Sequence, residues 1–275
     1  MNMKSLSKFF IASMATAAML SACSSKSATE TEKVAPFVTE TAQWADSATV
    51  GKSSVSVSIR AQYPAKGPSN LVNATRAWIA ATLACSDTLI AGVHEHENDA
   101  NDLFKYVGGE LIKESQADLR SSKEPGMEYE FMWDITAPVA SDSCVTYTSN
   151  FYCYTGGAHG STQVMQNTFD AQGIPFTTET MFAPESLDSL RQLVATNLAN
   201  QYFHEANVDA MKANLILSGD NVPLPSTDPA FYPNGVRFVY QQYEIAPYSA
   251  GLPECTIPYS VIRPYLSPAA AALIP

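Results

Sequence analysis

Val55, Val57 and Ile59 alternate with Ser56, Ser58 and Arg60. A period of two predicts a half-buried strand. Pro64, Gly67 and Pro68 then break the chain. Leu71, Ala74, Trp78, Ile79 and Leu83 fall on one face of a helix, with Asn70 as its expected N-cap. A second helix is predicted from Asp99 to Leu119, striped by Leu103, Phe104, Val107, Leu111 and Ile112, although Gly108-Gly109 lies inside it. Tyr129, Phe131 and Trp133 alternate with Glu130, Met132 and Asp134, and Val145, Tyr147 and Phe151–Tyr154 continue in β-rich composition. Gly156-Gly157 marks a turn, Val164–Phe169 another strand, and Asp170–Gly173 a hairpin turn into Ile174-Pro175-Phe176.

The helical spacing of Leu187, Leu190, Val194, Leu198 and Tyr202 predicts a helix over 184–203, with Pro184 in its first turn. A proline-rich loop follows, and Asn234-Gly235 opens a last β region through Arg237–Ile245 and Cys255–Pro258. Closely spaced strands joined by turns favour antiparallel pairing. The expected class is α+β, with helices packed on one face of a mainly antiparallel sheet. Two parts are expected, residues 47–128 and 129–275.

The N-terminus reads as an address. Lys4 and Lys8 precede an uncharged run of 12 residues, Phe9 to Leu20, well short of the ~20 that span a bilayer. Leu20-Ser21-Ala22-Cys23 ends this run. It looks like the lipobox of bacterial lipoproteins, in which small residues expose the backbone ahead of a thiol that takes lipid. Residues 1–22 are therefore expected to be a lipoprotein signal peptide, with Cys23 the lipidated residue. Residues 23–46, poor in large apolar side chains, are read as a tether. The expected location is the bacterial cell envelope (outer membrane, periplasmic or surface face), with the membrane contacted through the lipid.

Composition then narrows the partners. The chain has 275 residues, 27 of them acidic and 16 basic, a net charge of −11. Loss of Lys4 and Lys8 with the signal leaves 14 basic residues and −13. Such a balance argues against a phosphate-binding surface and hence against nucleic acid. In an oxidising compartment, Cys85, Cys144, Cys153 and Cys255 suggest two disulfides from three possible pairings. The short spacing favours Cys144–Cys153, which leaves Cys85–Cys255; free buried thiols are the alternative. His94-Glu95-His96-Glu97 lacks the H-E-x-x-H spacing of a zinc site and reads as a solvated acidic loop. No metal or cofactor is expected. There is no G-x-S-x-G and no cysteine in a catalytic context, so no catalytic residue is assigned.

The segment richest in possible chemistry is Tyr154-Thr155-Gly156-Gly157-Ala158-His159-Gly160. Its glycines permit positive φ and close backbone approach, and an imidazole at its tip can exchange protons near neutrality. A tight turn whose histidine bonds to the backbone is the plainer reading. Tyr243-Glu244-Ile245-Ala246-Pro247-Tyr248 could line a site with its rings and one carboxylate; a core strand ended by Pro247 and Gly251 is the alternative.

Together these two stretches resemble the signatures of the RsiV-type C-terminal domain family, domain of unknown function 3298. The second runs from Tyr240 to Gly251, with Ile257-Pro258-Tyr259 in the same pattern. The resemblance spans roughly residues 129–266. The family occurs in anti-sigma factors whose exported part senses lysozyme, and beside peptidoglycan deacetylase domains. No sigma-binding segment or deacetylase motif is apparent here, so signalling and deacetylation are not expected. The resemblance implies an exported binding module, with Tyr154, Thr155, Gly156, Gly157, His159, Tyr243, Glu244 and Tyr248 as candidate contacts. Its expected ligand is a lysozyme-like protein or cell-wall glycan (peptidoglycan). The rival reading is a glycan-acting enzyme that uses His159 and Glu244 as an acid–base pair.

Overall fold

A strand opens the fold where a tether was expected. In the computed structural model, which describes residues 36–84, 90–217, 219 and 221–274, β1 (Val38–Val50) begins inside the 23–46 segment. Its alternation is faint because two of its four core-facing positions are alanine. Ala42, Trp44, Ala48 and Val50 pack on the first core, yet none is fully buried. The expected signal peptide, the expected lipidation site Cys23 and the expected tether as far as residue 35 lie outside the described residues.

The remaining strands and helices follow in chain order. They are β2 (Ser53–Lys66), α1 (Ser69–Ala84), α2 (Ala100–Ser121), β3 (Glu128–Ala140), β4 (Cys144–Tyr154) and β5 (Ser161–Asp170), then α3 (Thr178–Met181), α4 (Leu187–Gln201), α5 (Val208–Met211), β6 (Ala230–Tyr232), β7 (Gly235–Val239), β8 (Glu254–Ile257), α6 (Tyr259–Ile262) and α7 (Pro268–Ala271). Asn70 sits inside α1 rather than capping it. Asp99 does cap α2, its Oδ1 accepting from the Asp102 N–H at 2.9 Å. Pro184 stands in a short 3-10 turn ahead of α4. The last β region is shorter than expected, because β7 ends at Val239 before the turn at Gln241–Glu244.

The class is α+β. A five-stranded sheet runs in the order β1-β2-β3-β4-β5, and a three-stranded sheet in the order β6-β7-β8. Every pairing is antiparallel except β2–β3, which is parallel from Ser54↔Glu128 to Ala61↔Ile135. A parallel pair needs a long crossover, and α1 and α2 supply it. Both helices cover one face of the large sheet, where Val55, Val57, Ile59, Leu71, Phe104 and Trp133 form the first core.

The second core gathers α4 against the small sheet, around Leu190, Val194, Leu198, Phe231, Phe238 and Ile257. Full burial of each such side chain is worth about 1.5–3 kcal/mol before conformational entropy is counted. The expected boundary at 128/129 falls inside the large sheet, after the first residue of β3, which pairs with β2. The change of core comes later, between Phe169 of the first and Phe176 of the second.

The expected Cys144–Cys153 pairing needs correction. Cys144 and Cys153 occupy opposite ends of the continuous strand β4. At ~3.3 Å per residue they stand roughly 30 Å apart, whereas a disulfide needs Cα atoms within ~7 Å. Cys255, in β8, is a buried thiol that donates to the Val194 carbonyl at 3.8 Å. Cys85 lies outside the described residues. No disulfide is present among those described.

Candidate functional site

Two loops far apart in sequence meet beside β5. The first, residues 155–160, joins β4 to β5. Gly156 and Gly157 both adopt left-handed backbone, with φ of 93° and 91°, which only glycine enters cheaply. The Tyr154 hydroxyl donates across the turn to the Gly157 carbonyl at 3.1 Å. Thr155 and His159 are exposed on this loop. Gly160 is needed for a different reason, since a Cβ there would lie 2.4 Å from the Tyr152 ring.

The second loop, residues 240–251, leaves β7. Tyr240 is its root, fully buried and donating its hydroxyl to the Pro223 carbonyl at 2.7 Å. Burial pushes the Tyr240 hydroxyl above the usual phenol range, so it stays a neutral donor. Gln241 and Gln242 then turn toward the outer edge of β5. The Gln241 Oε1 accepts from the Val164 N–H at 3.1 Å, and its Nε2 donates to the Val164 carbonyl at 2.6 Å. The Gln242 Oε1 accepts from the Thr162 N–H at 2.9 Å. These side-chain amides stand where the peptide groups of a sixth strand would, satisfying an edge that would otherwise be unpaired.

Tyr243 follows with φ of 65° and 54% of its surface exposed. A bulky residue held in left-handed backbone is strained, and such strain gathers at functional sites. The His159 ring stacks on Tyr248, with centroids 3.7 Å apart and planes 20° from parallel. Tyr243 lies against the same Tyr248 ring at 5.8 Å. The Gly160 carbonyl accepts from both His159 Nδ1 at 2.9 Å and the Tyr248 hydroxyl at 3.0 Å. A carbonyl can only accept, so Nδ1 carries a proton. In the neutral imidazole, Nε2 is then the acceptor facing the Tyr243 hydroxyl, 3.4 Å away. The two signature stretches thus converge in one exposed ledge of three rings.

Glu244 does not join that ledge as a free acid or base. Its Oε1 accepts from the Ser226 N–H at 2.6 Å and its Oε2 from the Gln241 N–H at 2.7 Å. No hydrogen bond or ion pair joins it to His159 among the described residues. The carboxylate instead closes the turn that displays Tyr243 and ties the 226 loop to it. From the sequence alone, Glu244 is expected as a ligand contact, and Gln241 and Gln242 carry no expected role. Only a glutamine pair after a strand end hints at edge capping.

The His94–Glu97 loop is explained by local pairs. His94 Nδ1 meets Glu97 Oε2 at 2.7 Å, and His96 Nδ1 meets Asp102 Oδ2 at 2.8 Å while its ring stacks on Tyr106. Among the described residues no three His, Cys, Asp or Glu side chains assemble into a metal cage, and no helix is long and apolar enough to cross a membrane.

Comparison with known proteins gives one family match and two similar folds. Residues 179–260 match the family described as "Protein of unknown function (DUF3298)". That span includes the Tyr240–Gly251 stretch; the Tyr154–Gly160 stretch lies upstream of it. A DUF3298 family member from Bacteroides fragilis is 19% identical, with a TM-score of 0.69 over 84% of this chain and 94% of that one. A DUF3298 family protein from Pseudomonas aeruginosa is also 19% identical, with a TM-score of 0.57 over 84% of this chain and 96% of that one. At this identity the likeness is one of fold. No curated protein matches. Residues 179–260 thus match the DUF3298 family model, and the chain shares the fold of solved members of that family.

Proposed function

We propose that the protein is a non-catalytic, ligand-binding lipoprotein of the bacterial cell envelope, anchored through lipid on Cys23, with the His159–Tyr248–Tyr243 ledge as its binding surface. One observation carries this reading: the strained backbone at Tyr243 holds an exposed ring beside a stacked pair contributed by the other loop. Strain of this kind persists where it serves display rather than stability. The ligand is a lysozyme-like protein or cell-wall glycan. The net charge of −13 after signal removal would draw in a cationic protein at long range. The saturation of Glu244 by two backbone N–H groups supports binding over acid–base catalysis, since both its oxygens are occupied.

The test is retention of the full chain, in mild detergent, on immobilised lysozyme and on purified peptidoglycan. Binding to at least one that is lost in Tyr243→Gly is the expected result; retention on neither rejects the reading. Labelled palmitate supplied to growing cells should enter the wild type and not Cys23→Ala. Equal labelling of the two would reject the anchor.

A further inference from the structure

The proposed ledge has a chemistry that narrows its ligand. Among the residues of its two loops, 155–160 and 240–251, there is no Lys, Arg or Asp and a single Glu, Glu244. That carboxylate is consumed by backbone N–H groups. The nearest other acid in register is Glu130, half-buried and opposite Tyr154 on the neighbouring strand. What remains on offer is uncharged: the ring faces of His159, Tyr243 and Tyr248, with hydroxyls and amides around them. The Gln242 Oε1 is bound to the Thr162 N–H, which leaves its Nε2–H2 group unengaged by protein among the described residues.

A shallow cleft of about 260 Å³ continues from Tyr243 along β5, lined by Thr162, Gln163, Val164 and Gln242. It falls just below the ~300–1,000 Å³ of pockets that enclose a drug-sized molecule, so it suits one ring of a longer ligand that stays mostly outside. A cationic protein seeks unpaired carboxylates, and the ledge presents none. A sugar ring presents one face of C–H groups and a rim of hydroxyls, which match an aromatic face bordered by amides.

From this we infer that the ledge binds a neutral oligosaccharide, one sugar ring lying on Tyr243 with its hydroxyls bonded along the Gln242–Thr162 cleft. This inference rests on the ledge being the binding site.

Titration of the full chain with chitotetraose, cellotetraose and hen lysozyme, at low and high salt, tests it. Tyr243→Gly is the informative variant, because glycine accepts φ of 65° without strain and removes only the ring. A melting temperature at or above that of the wild type verifies its fold. The expected result is saturable, salt-insensitive binding of at least one tetrasaccharide, weakened roughly tenfold or more in Tyr243→Gly and more mildly in Gln242→Ala. Salt-sensitive binding of lysozyme alone, lost in Tyr243→Gly, overturns the sugar inference and keeps the ledge as the site. Binding of any probe that Tyr243→Gly leaves unchanged overturns the ledge itself. Failure of both sugars to bind overturns the inference as well.

Discussion

The side-chain amide of Gln241 pairs with both the N–H and the C=O of Val164, as the backbone of an adjoining strand would. Val164 is itself buried, so these two groups have no ready replacement in water. Gln241→Ala leaves a buried donor and acceptor unpaired, which costs about 1–3 kcal/mol. Gln241→Glu keeps the acceptor, loses the donor and brings a charge to a carbonyl, so it should be no milder. Urea unfolding midpoints of the wild type and both variants check this. A Gln241→Ala midpoint equal to wild type would show that the edge is satisfied in another way.

Glu244 is expected to matter for stability more than for chemistry. It accepts two N–H bonds through separate oxygens, and bonds to a charged acceptor contribute about 1.5–3 kcal/mol each. Glu244→Gln turns one of these acceptors into an N–H2 group facing another donor. The variant should unfold at clearly lower urea. Unchanged unfolding, combined with altered ligand binding, would instead make Glu244 a contact residue.

Two adjacent glycines in α2 should answer the same substitution with opposite signs. A Cβ on Gly108 would lie 1.9 Å from the Trp44 ring, whereas one on Gly109 meets nothing within 4 Å. Gly108→Ala should cost about 1–3 kcal/mol through overpacking against β1. Gly109→Ala should gain about 0.5–1 kcal/mol from helix propensity. Thermal or urea unfolding of both reads the difference directly, and two shifts of the same sign would contradict the contact.

The buried thiols predict an alkaline limit. Burial pushes the Cys144 thiol up, and the Cys255 thiol up to about 12; burial likewise moves the Tyr259 hydroxyl to about 12. A folded-state value above the unfolded one means that protonation favours the fold. The contribution is complete below the unfolded thiol value near ~8.5 and is lost as pH rises toward 12. Melting temperatures should therefore decline above that onset, and less steeply in Cys255→Ala until the tyrosines titrate. At neutral pH, iodoacetamide should modify Cys144 and Cys255 only in unfolded protein; rapid modification of the native chain would refute their burial.

The elements that were legible in the sequence are those whose inward residues are large. Val55–Ile59, the Leu103–Ile112 stripe and Leu187–Leu198 declared themselves because a period of two or 3.6 is plain when Val, Leu and Phe mark it. β1 was hidden because alanine marks two of its four core-facing positions. The parallel β2–β3 pair was hidden because register is a property of two segments, and neither Ser54 nor Glu128 carries any sign of the other. The Cys144–Cys153 pairing failed on the same kind of point: nearness in sequence is distance in space once a strand runs between the residues. At the site, the two signature stretches and their glycines could be read, but their meeting could not. The role of Glu244 depended on the Ser226 N–H, a partner that only folding brings to it.

The parallel seam between β2 and β3 sets an order of assembly. A chain made from its N-terminus presents β1, β2, α1 and α2 before Glu128–Ile135 exists. During that interval the inner edge of β2, carrying Val55, Val57 and Ile59, has no strand beside it, and an open apolar edge invites pairing with other chains. β3 closes it only after a long crossover, a slow kind of contact to form. The nascent half-sheet is thus the stage at which this protein is most exposed to aggregation and proteolysis, and substitutions that weaken the seam should lower the yield of folded protein before they lower its stability.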